Sequence, residues 1–527
     1  MLNRQNTERD EKTRATYDET PYHSYTYPLT HPEQQALVAR LLGYTSVDFK
    51  KARVLELGCA SGGNILPLAI DFPEAQFYGI DLSPVQIDEA NRHKSALNLS
   101  NIKFEARDIM DIDPKFGEFD YIICHGVFSW VPDFVRDKIL KICQENLNAH
   151  GMACISFNVL PGWSSQRTLR EMMILHTRNI EDPAKKIEQA KILVNFLNAY
   201  MPKGTALQQA LQEVSQKFQK INTDSYVLHE YLEPNNKQFY FTNFSEMLDK
   251  YELQYVGDSD LSAMHTGNLG PEIDQALRKI VDNIMREQYI DYISNRHFRQ
   301  AIITSKANKS KNTSFDIIDA LYFTTDMQPQ SEKPDERGVM KFQKGNTGMF
   351  INVSDEISQT LLKKMSQPRY NAYSCKEMVK LVVDELGNDK REQIEKVIRS
   401  NAILYSLRNF LQLHLRPSRH VNKISLKPQA FALSRYQAKF SNPPYIITAN
   451  YSFSQLNQLE LLLLRHLDGN NNHNQLAELL MDTLRAEKVT LQENNMPVID
   501  PIQQKVMTKR ILPGLLESLC NHGILIA

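Results

Sequence analysis

The sequence predicts an α/β fold for about the first 310 of its 527 residues, with a parallel sheet covered by helices on both faces. Short β-rich runs alternate there with segments whose apolar residues recur at helical spacing, the pattern of βαβ units. The first run, Arg53–Gly58, ends in a glycine-rich turn, as expected where a strand meets a helix. Ser83 and Pro84 suit the N-cap and first position of a helix, because proline lacks the N–H that such a position leaves unpaired.

The elements of this region are assigned in chain order. The predicted strands are Arg53–Gly58, Gln76–Asp81, Ile102–Ala106, Phe119–His125 and Met152–Asn158. The helices between them are Asn64–Asp71, Pro84–Leu97 and Phe134–Leu147. Two later strands, Leu253–Val256 and Ala301–Ser305, are expected to return to the sheet after the helical stretches Phe244–Lys250 and Glu272–Asn295.

Composition shifts along the chain predict three domains. The sheet domain, residues 1–310, contains a helical insertion at about 163–230, which is suited to dimer contacts. A mixed α+β middle domain is predicted for 311–445, with strands near Leu321–Thr325 and Met349–Val353. Residues 446–527 are mostly helical, and three helices followed by a short strand at 523–526 resemble a winged helix.

The overall composition is that of an ordinary globular protein. Sixty-one basic residues balance 62 acidic ones, which excludes a surface that binds polyanions over its whole extent. No apolar run approaches the roughly 18 residues that a membrane span needs, and the polar N-terminus does not resemble a secretory signal. The six cysteines form no C-x-x-C pair, so we expect reduced thiols, a cytoplasmic location and no metal site.

A small-residue loop follows the first strand, with the sequence ELGCASGGN from Glu56. Small side chains allow main-chain atoms to contact a ligand, and a helix N-terminus offers unpaired N–H groups. The spacing between Gly58 and Gly62 is G-x-x-x-G, not the G-x-G-x-x-G that binds a dinucleotide pyrophosphate. Asp81 ends the second strand, 23 residues after Gly58, where an acid can accept ribose hydroxyls. Asp108, with Ile109 beside it, ends the third strand and suits an adenine ring.

This E-x-G-x-x-x-G pattern with two further acids resembles the class I S-adenosylmethionine-dependent methyltransferases. The resemblance implies a Rossmann-like sheet, S-adenosyl-L-methionine as cofactor and S-adenosyl-L-homocysteine as product, with the loop against the methionine part. The implied cofactor-binding residues are Tyr17, Glu56, Gly58, Cys59, Ala60, Gly62, Asp81, Leu82, Asp108, Ile109 and His125.

Further segments resemble one group of bacterial methyltransferases, those with a methyltransferase regulatory domain. The segments are TPY (20–22), THP (30–32), RVLELGCASGGN (53–64), GIDLSPVQI (79–87), FGEFDYIICHGVFSWVP (116–132), LPGW (160–163), HEYLE (229–233) and NRHFRQ (295–300). Within this group the chain is similar to rickettsial lysine methyltransferases, which act on outer-membrane proteins and are described as homodimers. The resemblance implies a lysine-bearing protein substrate, methylated before export.

The methyl acceptor is expected at the end of the fourth strand. His125 is a candidate to hydrogen-bond the cofactor or relay a proton, and Trp130 is a candidate wall for a lysine channel, since aromatic faces attract cations. The residues before the first strand are expected to form a lid, with Tyr17 and His31 as its candidate functional residues. For each of these residues, simple packing is the alternative.

Other functions remain open from the sequence alone: a small-molecule methyltransferase, a nucleic-acid enzyme or regulator, and an inactive cofactor-binding protein. The predicted recognition helix Gln475–Leu484 carries no Lys or Arg, which argues against nucleic acid. The sequence NPPY at 442–445 matches a motif of nitrogen methyltransferases. It lies some 320 residues after the fourth strand, so we interpret it as an ordinary turn.

Overall fold

The computed structural model describes residues 24–221, 224–311, 315–345, 347–367, 371–440, 445–493 and 496–527. Tyr17 and residues 442–444 of the NPPY sequence lie outside these ranges. The chain forms two compact units, one built mainly from residues up to 311 and the other mainly from residues after 311. The division into three domains at 310 and 445 stays a prediction.

The first unit contains one mixed sheet of eight strands. The strands are β1 Arg53–Leu57, β2 Gln76–Asp81, β3 Ile102–Ala106, β4 Phe119–Cys124, β5 Leu147–Val159, β6 Gln238–Phe239, β7 Leu253–Asp258 and β8 Phe298–Ser305. Their order is β3-β2-β1-β4-β5-β8-β7, and β6 pairs with the end of β5. The strands β1 to β5 are parallel, as predicted, whereas β8 runs antiparallel to both of its neighbours.

Helices cover this sheet and extend from it. They are α1 Pro32–Leu41, α2 Leu66–Asp71, α3 Pro84–Ala96, α4 Asp133–Asn146, α5 Ser164–Thr177, α6 Pro183–Tyr200, α7 Ala206–Ile221, α8 Asp224–Val227, α9 Phe241–Asp249, α10 Pro271–Leu277 and α11 Asn283–Ser294. A π-helical turn, Leu228–Leu232, continues α8. The stretch predicted as one helix from 272 to 295 is two helices, because the Asp282 side chain accepts the N–H groups of Ile284 and Met285 and starts a new helix.

The helical insertion predicted at 163–230 is present as α5 to α8, and these helices have an apolar core of their own. Its fully buried members include Leu169, Met173, Val194, Leu211 and Val214. None of the helices within the described ranges has both the length and the apolar character needed to cross a bilayer.

A buried network of charges joins β7, β8 and α11. Arg299 is fully buried and donates to Asp291 at 2.8 Å, to Asp258 at 2.7 Å and to Glu287 at 3.0 Å. Arg296 also pairs with Asp258 and Asp291. A buried arginine is tolerated only where carboxylates compensate its charge, so these partners fix the start of β8 relative to α11.

The second unit begins with two small sheets and a group of helices. Its strands are β9 Tyr322–Thr324, β10 Met327–Pro329, β11 Met340–Lys344, β12 Phe350–Val353, β13 Tyr373–Ser374 and β14 Gln412–His414. Its helices to residue 437 are α12 Glu356–Met365, α13 Cys375–Leu386, α14 Arg391–Leu407 and α15 Ala432–Gln437. The order β10-β11-β12 forms one sheet, and β13-β9-β14 forms the other. The strands predicted near 321–325 and 349–353 are confirmed as β9 and β12.

The C-terminal part has the predicted winged-helix arrangement. It contains β15 Ile446–Ile447, β16 Phe453–Ser454, α16 Gln458–Leu464, α17 His473–Ala486, β17 Gln492–Glu493, β18 Met496–Pro497 and α18 Pro501–Asn521. The last helix begins at Pro501, because Asp500 caps it and Pro501 occupies its first position. The predicted strand at 523–526 was wrong in extent: it is reduced to a single bridge between Ala430 and Leu525.

Candidate active site

The small-residue loop between β1 and α2 has a backbone that requires glycine at two positions. Gly58 has φ +74° and Gly62 has φ +81°, and a Cβ at either would lie 2.5 Å from the side chain of Val127 or Phe104 respectively. The N–H groups of Gly58 and Cys59 both donate to the Ile80 carbonyl, at 2.9 and 3.0 Å. The loop is therefore fastened to β2 and brings main-chain atoms to the carboxyl edge of the sheet.

Asp81 ends β2 beside this loop. Its Oδ2 accepts the Ala60 N–H at 2.9 Å and its Oδ1 accepts the Ser83 N–H at 3.0 Å. These two bonds orient the Asp81 carboxylate at the sheet edge, and a carboxylate in this position is of the right chemical type to accept ligand hydroxyls. The adjacent Leu82 side chain is 37% exposed.

Asp108 ends β3, the next strand along the sheet. Its side chain accepts the Met110 N–H at 2.8 Å and caps a short turn, Ile109–Asp111. Ile109 packs against the core below this turn. Together with Glu56 and Asp81, the structure brings carboxylates to the ends of three adjacent strands, which suits one elongated ligand.

Glu56 is buried at the end of β1 and holds the loop to the N-terminal segment. Its Oε1 accepts from Asn64 Nδ2 at 2.7 Å, and Asn64 also contacts Thr30 Oγ1 at 3.1 Å and His31 Nε2 at 3.0 Å. The Gly63 N–H donates to Ser24 Oγ at 2.7 Å. The structure thus groups His31 with the loop, and its catalytic role stays a prediction.

The Glu56 carboxyl has an unusual charge state. Burial raises the pKa of Glu56 to about 8, because the hydrogen bond from Asn64 offsets only part of the desolvation and the Asp81 charge adds to it. Among the described residues, Glu56 Oε2 is buried and has no hydrogen-bond partner. A ligand that carries an ammonium group would supply the missing donor.

These residues fit S-adenosylmethionine. The main chain of the loop between Gly58 and Gly62 lies at the sheet edge where the methionine part would bind, Glu56 would hold its ammonium group, and Asp81 would hold its ribose hydroxyls. Cys59 contributes its main chain, because its thiol is buried (3% exposed) and packs toward Gly79 of β2. Within the described ranges, no group of three or more His, Cys, Asp or Glu side chains is arranged to hold a metal ion.

The loop after β4 lies at the same edge of the sheet. The Gly126 N–H donates to Ser156 Oγ, and the Asn158 N–H donates to Ser129 Oγ, both at 2.9 Å, which fastens the loop to β5. Burial lowers the pKa of His125 to about 4, so its imidazole is neutral at neutral pH. The structure therefore places His125 at this edge as a neutral side chain, and its catalytic role stays a prediction.

Two aromatic pairs surround this edge. The His125 ring lies edge-on to Phe298 at the start of β8, with 5.8 Å between ring centroids. Trp130 lies edge-on to Trp163, which follows β5, at 6.5 Å and 81°. Trp163 and Phe298 were not among the candidate site residues named from the sequence. The sequence does contain a signal for Trp163: LPGW directly follows a parallel strand, and the carboxyl ends of parallel strands lie at the same edge of the sheet.

Replacement of Asp81 tests the cofactor site. Asp81→Ala removes the acceptor for the ribose hydroxyls and the partner of the Ala60 N–H. Losing one to two charge-assisted hydrogen bonds costs about 1.5–3 kcal/mol, so S-adenosylhomocysteine should bind about 10- to 150-fold more weakly by calorimetry. Asp88→Ala, an exposed acid on α3, is the matched control and should bind normally. Undiminished binding to Asp81→Ala would contradict the site.

The pKa of Glu56 predicts a pH dependence of cofactor binding. Below about pH 8 the free protein carries a protonated Glu56, whereas a bound ammonium group favours the carboxylate. Binding should therefore release a proton and tighten from pH 6 to 7.5, by at most about tenfold per pH unit. Calorimetry in buffers of different ionisation enthalpy measures the released proton. Glu56→Gln should abolish the buffer dependence, and an unchanged dependence in this variant would refute the assignment.

Three family models match the chain. They are described as "Methyltransferase domain" (residues 48–196), "Predicted methyltransferase regulatory domain" (residues 223–305) and "PKMT, C-terminal winged helix domain" (residues 427–524). The first covers the cofactor loop and the aromatic residues after β4 and β5. The second covers the π-helical turn and the buried Arg299 network. The third covers the winged helix.

Relatives and solved structures extend this similarity to nearly the whole chain. The uncharacterized protein RP789 of Rickettsia prowazekii is 32% identical over 520 residues, which cover 97% of this chain and 93% of RP789. The uncharacterized protein RP028 of the same organism is 38% identical over 237 residues, 45% of this chain and 95% of RP028.

Among solved structures, "The structure of PKMT2 from Rickettsia typhi" has a TM-score of 0.85 at 29% identity, covering 96% of this chain and all of that one. The same protein in complex with AdoHcy has a TM-score of 0.83 at the same coverage. The loop, the strand order and these matches agree. The chain therefore belongs to the class I S-adenosylmethionine-dependent methyltransferases that carry a methyltransferase regulatory domain and a PKMT-type C-terminal winged helix.

Proposed function

We propose that this methyltransferase transfers methyl groups to lysine side chains of a protein substrate. The observation that carries the proposal is the presence of two aromatic pairs after β4 and β5 and at the start of β8: Trp130 with Trp163, and a neutral His125 with Phe298. Aromatic faces attract alkylammonium groups, and a lysine side chain is long enough to reach a recessed site from a protein surface. The similarity to PKMT2 and to the PKMT winged-helix model supports the same substrate class.

The chemistry requires a neutral amine. At its usual pKa of about 10.4, about one lysine in 2,500 is neutral at pH 7, so forming the nucleophile costs roughly 4.6 kcal/mol. The aromatic faces bind the lysine as its ammonium form, and removal from water beside the positive sulfonium then disfavours that form and lowers the cost of deprotonation. The amine lone pair then forms the new C–N bond while the S–CH3 bond breaks, its electron pair stays on sulfur, and the nitrogen loses a proton.

His125 has a defined part in this scheme. Because burial lowers the pKa of His125 to about 4, its imidazole can accept a hydrogen bond from the amine but is a poor final acceptor of the lysine proton. We therefore assign His125 to orienting the amine, and the proton leaves to solvent. Trp130 is assigned to supply an aromatic face of the lysine channel.

The resemblance to rickettsial enzymes makes a bacterial outer-membrane protein, modified in the cytoplasm before export, the proposed substrate. The second unit, residues after 311, is proposed to present a surface to this protein. Its winged helix is a poor candidate for nucleic acid, since α17 carries acidic Glu478 and Asp482 and a single arginine, Arg485, in its last turn.

Transfer of a labelled methyl group tests the proposed function. Full-length protein, labelled S-adenosylmethionine and an unfolded outer-membrane protein should give label on lysine Nζ, located by mass spectrometry. The same substrate with its lysines blocked by reductive dimethylation should take up at most one methyl group per lysine, and an acetylated substrate should take up none. Label on metabolites or on nucleic acid, with none on lysine, would contradict the proposal.

We further propose that the helical insertion forms a homodimer. Three apolar side chains lie exposed on one face of α6 at a spacing of four residues, namely Ile192 (47% exposed), Phe196 (57%) and Tyr200 (75%). A shallow cavity of about 460 Å³ opens nearby between α5 and α6, lined mainly by Met172, Leu175, Leu193 and Leu197. An exposed apolar surface of this kind is typical of an interface between copies of a chain.

Light scattering after size exclusion tests the dimer. The wild-type mass should be twice that of one chain, and Phe196→Glu should shift the protein to monomer because it places a charge in an apolar interface. Asn198→Glu changes an exposed residue on the other side of α6 and should remain dimeric. A monomeric wild type, or a Phe196→Glu variant that stays dimeric, would contradict this interface.

A further inference from the structure

We propose that Trp163 and Trp130 form a two-sided wall for the acceptor amine. This wall allows the enzyme to add a second and a third methyl group to each lysine, an inference that rests on the lysine specificity proposed above. These are the two tryptophans of the chain, and they follow adjacent strands, β4 and β5. Their rings meet at 81° with 6.5 Å between centroids, and both side chains are partly exposed. A perpendicular pair presents an open corner, so one ligand can contact both rings.

Hydrogen bonds and close packing fix the main chain at Trp163. Its N–H donates to the Val159 carbonyl at 3.0 Å, and its carbonyl accepts the Arg167 N–H at 2.8 Å at the start of α5. The preceding Gly162 lies so close to Arg296 that a Cβ there would be 2.2 Å from the Arg296 carbonyl oxygen. Arg296 belongs to the buried charge network, so Trp163 is positioned by a rigid part of the unit.

Trp130 is held independently of Trp163. Its N–H donates to the Val127 carbonyl at 2.8 Å, which closes a turn in the β4 loop. The neighbouring Ser129 accepts the Asn158 N–H through its hydroxyl and the Lys237 N–H through its carbonyl, at 2.9 and 2.7 Å. The main chain that carries each ring is thus held in place before an acceptor arrives, which limits the ordering that binding requires.

The chemistry of this corner differs from that of a carboxylate site. Lysine ammonium has three N–H donors, and each methylation removes one donor while the protonated amine keeps its charge. A site built on hydrogen bonds to carboxylates would lose affinity at each step. Aromatic rings attract the charge and the added methyl groups alike, as in aromatic sites that bind methyl-lysine. The corner should therefore retain mono- and dimethyl-lysine as acceptors for further transfer.

Variants of Trp163 test this proposal in the full-length protein. Wild type, Trp163→Phe, Trp163→Leu and Trp130→Leu are compared on unmodified and reductively dimethylated protein substrate, with mass spectrometry counting mono-, di- and trimethyl-lysine. Both leucine variants should shift the products toward monomethyl-lysine and raise KM for the dimethylated substrate by about 3- to 30-fold. Trp163→Phe keeps an aromatic face and should stay within about threefold of wild type.

Two controls separate this role from a structural one. Tyr289→Leu, which removes a partly exposed ring from α11, should leave product distribution and KM unchanged. S-adenosylhomocysteine affinity should be the same in all variants, because the tryptophans follow β4 and β5 whereas Asp81 ends β2. Loss of that affinity in both leucine variants would show a structural role and overturn the proposal.

The remaining outcomes are also decisive. A wild-type enzyme that stops at monomethyl-lysine overturns the proposal. If the wild type makes trimethyl-lysine and both leucine variants give the same product distribution, the proposal is also overturned. In these cases the lysine function itself survives. A wild-type enzyme that methylates no lysine overturns the proposed function together with this inference, so the two failures are distinguishable.

Discussion

The hydrogen bond from Asn64 to the buried carboxyl of Glu56 is the interaction on which the cofactor side of this protein depends. It joins the end of β1 to the first residues after the loop, and through Thr30 and His31 it fastens the N-terminal segment onto both. A buried carboxyl is costly unless it is neutral or receives donors, which is why the pKa of Glu56 rises to about 8. The cost is recovered when a ligand supplies the ammonium donor that Oε2 lacks.

A second constraint governs the acceptor side. Arg299 and Arg296 are compensated by Asp258, Asp291 and Glu287, and this network fixes the start of β8. Phe298, at the start of β8, lies against His125 of the β4 loop. The residues just before Phe298 pack against the turn that carries Trp163. All of these charges lie within the region that matches the methyltransferase regulatory domain. This region thus supports the turn that carries Trp163 and the loop that carries His125, although it is remote in sequence from the cofactor loop.

The two sides of the site meet at the carboxyl edge of one sheet, which is a geometric consequence of parallel strands. The ends of β1, β2 and β3 carry the carboxylates, and the ends of β4 and β5 carry the tryptophans. Ligands of open α/β sheets bind at this edge, because there helix N-termini and strand ends leave backbone groups unpaired.

The sequence by itself determined the strand-helix alternation, the loop from Glu56 and the acids Asp81 and Asp108, because periodicity, glycine and strand-end position are local properties. The break in the predicted 272–295 helix also has a local cause, the cap formed by Asp282. It was missed from the sequence because the helical spacing of apolar residues does not reveal a side-chain cap. Only the tertiary structure decided the antiparallel direction of β8, the neutral state of His125 and the meeting of Trp130 with Trp163. Pairing direction, desolvation and contact between side chains 33 residues apart depend on how distant segments pack, and no local pattern records that packing.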